Sequence, residues 1–89
     1  MSKEPTIFQE EFAEKIYEAW RKYLHDNIEA IYTDPLQRSV AVNVIAHALE
    51  TFTELNFITD EQKQLLVIYL DGALEHEITN KILNENEKE

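Results

Sequence analysis

The sequence predicts an all-α fold, an up-down-up bundle of three helices. Three observations carry that prediction. One Gly and two Pro in 89 residues leave little material for tight turns, so a few long elements with few connections are expected. Three segments open with the same helix-start signal. Behind each start, apolar residues recur at the spacing of a helix buried along one side.

The start signals are Thr6-Ile7-Phe8-Gln9, Asp34-Pro35-Leu36-Gln37 and Thr59-Asp60-Glu61-Gln62. In each, a capping side chain precedes a Gln by three residues. The cap accepts from a free backbone N–H, and the Gln reaches back to the cap's own N–H. Pro35 falls at the first helical position, where its missing N–H costs nothing. Asp60 and Glu61 complement the positive end of the third helix. The predicted helices span about 7–32, 35–55 and 60–84 in a single domain, 1–89, with loose ends at 1–5 and 85–89. His25-Asp26-Asn27 is a point where the first helix can fray or break. Short connections at Thr33-Asp34 and Asn56–Thr59 imply antiparallel neighbours.

Counting from each cap exposes a shared phase. Six residues on come Phe12, Val40 and Leu65, and seven on Ala13, Ala41 and Leu66. Ten, eleven and fourteen on come Ile16, Val44 and Tyr69; Tyr17, Ile45 and Leu70; Trp20, Ala48 and Ala73. Packing of three helices on one core explains that phase. Val40, Val42 and Val44 alternate as in a strand, but they lie inside a capped helical frame with Ala46, Ala48 and Leu49. Gly72 in a helix costs about 1 kcal/mol relative to Ala unless a neighbouring helix approaches closely there.

From Ser39 to Leu49 the chain runs eleven residues without a formal charge, although 29% of the sequence is charged. Charge is excluded where water is excluded, so this window is expected to be the most buried segment. Val40, Val44, Ala48 and Ile45 are expected to face the other helices. The opposite side holds Ser39, Val42 and Ala46, small or apolar where a wet helix face carries charge. The second helix is apolar over about twice the ~100° arc of an ordinary surface helix, and Leu65–Leu70 is apolar all the way round. That surplus predicts a second buried surface, most simply a two-fold homodimer. The expected interface residues are Ser39, Val42 and Ala46, with Tyr17, Trp20, Leu66 and Tyr69 supplying aromatic and apolar anchors.

Residues with catalytic chemistry are few. There is no Cys, Ser2 and Ser39 are the only serines, and Gly72 alone cannot make a phosphate loop. No enzyme is expected, and no cofactor. His47 and Glu50 share the polar stripe of the second helix with Asn43 and Glu54, and His76 lies on the third. His47, Glu50 and His76 are the metal-ligand candidates, yet His-Glu-x-x-His is absent and a hydrogen-bonded structural His is the plainer reading. Glu10-Glu11-x-x-Glu14 resembles the paired acids with which all-α nucleotide pyrophosphohydrolases hold Mg²⁺. Their second pair, Glu-x-x-Asp, has no counterpart here, and acids in a first helical turn follow from the helix dipole alone.

Charge narrows the partners. Eighteen acids against eight Lys and Arg give a net charge of −10, which repels phosphate backbones and anionic membranes. The longest uncharged stretch is about half the ~20 residues needed to span a bilayer. Met1–Pro5 lacks the apolar core of a signal peptide. The expectation is a soluble, cytoplasmic protein without direct nucleic-acid or membrane contact. Its leading reading is a small acidic interaction module of regulator, inhibitor or antitoxin type that docks on a protein partner. One alternative is an acidic nucleic-acid mimic displaying Glu11, Glu14, Glu18 and Glu29. Another is a metal- or ligand-responsive helical sensor built on His47.

Overall fold

A computed structural model describes residues 4–87, which form four helices and no strand: α1 (Ile7–Asp26), α2 (Ile28–Thr33), α3 (Pro35–Glu54) and α4 (Asp60–Glu87). The all-α expectation holds. The expected loose ends differ in part: residues 85–87 continue α4, while 1–3 and 88–89 lie outside the described residues.

Two of the three start signals form complete capping boxes. The Thr6 hydroxyl accepts from Gln9 N–H at 3.1 Å, and Gln9 Oε1 accepts from Thr6 N–H at 3.0 Å. Thr59 and Gln62 repeat the exchange at 3.0 and 2.9 Å. The third behaves differently. Asp34 Oδ1 accepts from Leu36 N–H at 3.0 Å, but Gln37 does not reach back. The reason is that Asp34 serves two helices: its own N–H already donates to Ala30 at the end of α2, so no donor is left for Gln37.

The expected first helix is two helices. It breaks at Asn27 (φ −117°, ψ 17°), whose side-chain amide donates to the Tyr23 carbonyl at 2.9 Å beside its own backbone N–H. A short amide that competes for a backbone acceptor interrupts helical continuity. The interruption lets α2 bury Ile31 between α3 and α4. At the other end of the molecule, α3 stops in a Schellman turn. Asn56 takes φ 63°, Phe57 N–H reaches back to Phe52 O at 2.8 Å, and Asn56 N–H reaches Thr53 O at 3.1 Å. Phe52 and Phe57 stack with centroids 6.2 Å apart, the apolar contact that accompanies this motif.

That turn anchors one end of the structure. All four phenylalanines meet there, with Phe12 4.9 Å from Phe52 and 5.2 Å from Phe57, and Phe8 5.9 Å from Phe57. Gln9 Nε2 donates to Asn56 O at 3.0 Å, fixing the start of α1 against the turn that leads from α3 into α4. Glu29 of α2 pairs with Lys81 towards the far end of α4, so α1 and α4 run in the same direction. Glu50 and Lys63, 3.9 Å apart, link α3 to α4.

The core is narrow. Leu66, Leu70 and Leu74 form the inward edge of α4 and meet Ile16, Trp20 and Leu24 of α1, with Ala41 and Leu49 of α3 and Ile58 of the turn. These positions also adjust the predicted phase. In α3 and α4 the inward residues stand seven, eleven and fifteen from the cap, while α1 turns a neighbouring edge inward. Hence Val40, Val44, Leu65 and Tyr69 point outward where their α1 counterparts Phe12 and Ile16 point in. The helices α1 and α3 lean on α4 without approaching each other backbone to backbone. The outcome is an elongated molecule, 53 × 22 × 20 Å, open along one side.

Candidate functional site

The structure does not gather the titratable candidates into a site. His47 and Glu50 are exposed on α3, and Glu50 is occupied by Lys63. His76 is exposed on α4, where its Nε2 lies 3.2 Å from the Asn80 amide. Among the described residues no three His, Asp or Glu side chains converge as a metal site would require. Lys81 of α4 pairs with Glu29 of α2. Its hydrogen bond to the Glu29 carboxylate holds its ammonium above the ordinary lysine range, and Glu85 adds to the effect. That group ties α2 to α4.

What the fold does assemble is apolar surface. The charge-free window, expected to be the most buried segment, is not. Only Ala41 and Leu49 in it are buried, Ile45 and Ala48 are half-buried, and Val40 and Val44 stand 47% and 63% exposed. The physical reason is that the α1 and α3 backbones do not approach each other, so α3 is covered only where it meets α2 and α4 and where Phe52 meets Phe12. Together with Leu36, 68% exposed, Val40 and Val44 form a ridge at i, i+4 and i+8 along α3.

Beside that ridge runs a groove of about 490 Å³ between α1 and α3. Phe12, Ile16, Trp20 and Tyr23 form one wall, and Val40, Val44, Ala48 and Phe52 form the other. Among the described residues, Lys15 is the only formally charged one that lines it. Trp20 and Tyr23 stack with centroids 5.9 Å apart at 19°.

The residues expected at an interface divide between places. Trp20 and Leu66 belong to the chain's own core, at 6% and 5% exposure, because α1 and α4 meet there and the indole N–H finds an acceptor at Leu70 O, 2.8 Å away. Val42 and Ala46 line a smaller cleft between α3 and α4 with Val67 and Asp71, and Ser39 is exposed near the start of α3. Tyr17 and Tyr69 meet edge to face at 6.4 Å and border a cleft between α1 and α4. Arg21 lies over the Tyr17 ring, 5.9 Å from its centroid. The same cleft carries Leu65 and two acids, Glu14 and Glu18. Beyond it Ile68 is 64% exposed on the outside of α4.

Sequence reasoning therefore missed the ridge Leu36, Val40 and Val44 as surface. The signal that could have found it was the missing charge itself, which marks a face as apolar without saying whether the chain's own helices cover it. No helix among the described residues is long and apolar enough to cross a membrane. In comparisons with known proteins, no family model, no curated protein and no solved structure matches this chain.

Proposed function

We propose that this protein is a small, non-catalytic interaction module of regulator, inhibitor or antitoxin type, cytoplasmic, that works as a homodimer and docks on a protein partner. The observation that carries the reading is the contrast between its two kinds of surface groups. Apolar side chains are grouped into continuous uncovered faces on α3 and α4, while the histidines and carboxylates are dispersed or paired with Lys63 and Lys81. Large uncovered apolar faces on a small acidic protein fit contacts with other chains.

Two faces fit two contacts. The groove between α1 and α3, almost without charge, suits a second copy. The cleft between α1 and α4 joins Tyr17, Tyr69 and Leu65 to Glu14 and Glu18, a mixture that suits a partner with a basic and apolar surface. Affinity capture from the source cell with wild type and with Tyr69→Glu tests the docking face. The expected result is one stoichiometric protein retained by wild type, released as salt rises and lost in the variant. Retention of the same protein by both chains overturns the assignment to this cleft.

A further inference from the structure

The homodimer needs a face, and three independent observations assign one. The first is area. The chain exposes 6718 Å², whereas a compact chain of 10.5 kDa exposes about 5,400 Å². Its radius of gyration is 14.9 Å, against ~12 Å for a compact chain of this length. The excess in area is roughly 1,300 Å² per chain, or about 2,600 Å² for a pair, within the range of obligate homodimers.

The second observation is where apolar exposure coincides with an absence of charge. Leu36, Val40 and Val44 form their ridge directly beside the α1–α3 groove, inside or next to the eleven-residue window that carries no charge. A wet helix face in a chain this rich in charge would carry some. The third is electrostatic. Each copy bears −10, so two copies can meet closely only where acids are absent. The α1–α4 cleft carries Glu14 and Glu18 and would set acids against acids, whereas the α1–α3 groove carries Lys15 alone.

We propose that the α1–α3 groove is filled by α3 of a second copy, about a two-fold axis passing close to Val44. Each copy's Leu36–Val40–Val44 ridge then lies in the other's groove. A trough between two helices that share a support accepts a third helix at ordinary packing distance. Because ridge and groove adjoin on the same helix, one two-fold rotation satisfies both, as an isologous interface requires. Valine's stiff χ1 also limits the side-chain freedom lost on docking.

This assignment rests on the self-association in the proposed function, and its test separates the two. The natural chain has no cysteine, so Val44→Cys and Ile68→Cys each carry a single thiol. A short bis-maleimide at micromolar protein is expected to convert most of Val44→Cys into covalent pairs and to leave Ile68→Cys as single chains. Light scattering in parallel is expected to give a two-chain mass for wild type and a one-chain mass for Val44→Arg. Val44 is a largely exposed residue, so the circular dichroism of that variant should match wild type. A two-chain mass kept by Val44→Arg, with cross-linking at Ile68→Cys instead, overturns the face and leaves self-association standing. A one-chain mass for wild type overturns both.

Discussion

The indole N–H of Trp20 donates to the backbone carbonyl of Leu70 across 2.8 Å, from the middle of α1 into the middle of α4. It is a buried hydrogen bond between the two longest-paired helices, and it explains why the single Trp of the chain lies in the core with its polar atom satisfied. Trp20→Phe keeps most of the apolar volume and removes the donor. That variant should lose about 1–2 kcal/mol, the hydrogen bond plus a small packing defect, whereas Trp20→Ala should lose about 3–5 kcal/mol. Urea unfolding followed by circular dichroism measures both. Equal losses for Phe and Ala would mean that ring packing contributes nothing.

Asn56 holds a positive φ of 63° at the end of α3, where the Schellman turn leads into Phe57. Glycine adopts that conformation without a Cβ penalty, and a β-branched residue does so only with strain. Asn56→Gly is expected to match or slightly exceed wild-type stability, and Asn56→Val to cost upwards of about 1 kcal/mol. Thermal unfolding of the pair reads the difference, and the reverse order would contradict the turn.

The three start signals give a sharper contrast. Thr59→Ala removes a cap that Gln62 N–H donates to, and should cost about 1 kcal/mol. Gln62→Ala should cost a measurable part of that, because its Oε1 accepts from Thr59 N–H. Gln37→Ala should change stability by no more than a few tenths of a kcal/mol, since Asp34 N–H is already bound to Ala30 O. A Gln37 effect as large as that of Gln62 would contradict the double role of Asp34.

Gly72 lies inside α4 with nothing within 4 Å of the position a Cβ would take. No neighbouring helix approaches there, so the reason that would have excused a helical glycine is absent. Gly72→Ala should therefore stabilise the chain by up to ~1 kcal/mol. Destabilisation in chemical unfolding would show that this part of α4 is covered at close range.

What the sequence made legible was local. Thr6, Asp34 and Thr59 each open a helix because a cap and its N–H partner lie within three residues of one another. The double use of Asp34 was not legible, since it depends on where the preceding helix ends. The break at Asn27 was marked by His25-Asp26-Asn27, but its cause, the sharing of Tyr23 O by a backbone and a side-chain donor, was not legible. The candidate site shows the same division. Tyr69 and Val42 were recognisable as surplus apolar surface. The outward turn of Val40 and Val44 was not, because a wheel gives the width of an apolar arc but not which part a neighbour covers.

The central claim is that the charge-free window of α3 is hidden by a second copy of the chain. Sedimentation equilibrium of the wild-type protein in the micromolar range, at low and at high salt, tests it most directly. The account predicts a mass twice the 10.5 kDa of one chain at both salt concentrations, because the shared surface is apolar and added salt screens the repulsion between acidic copies. A one-chain mass throughout would contradict it, leaving Val40 and Val44 simply exposed to water.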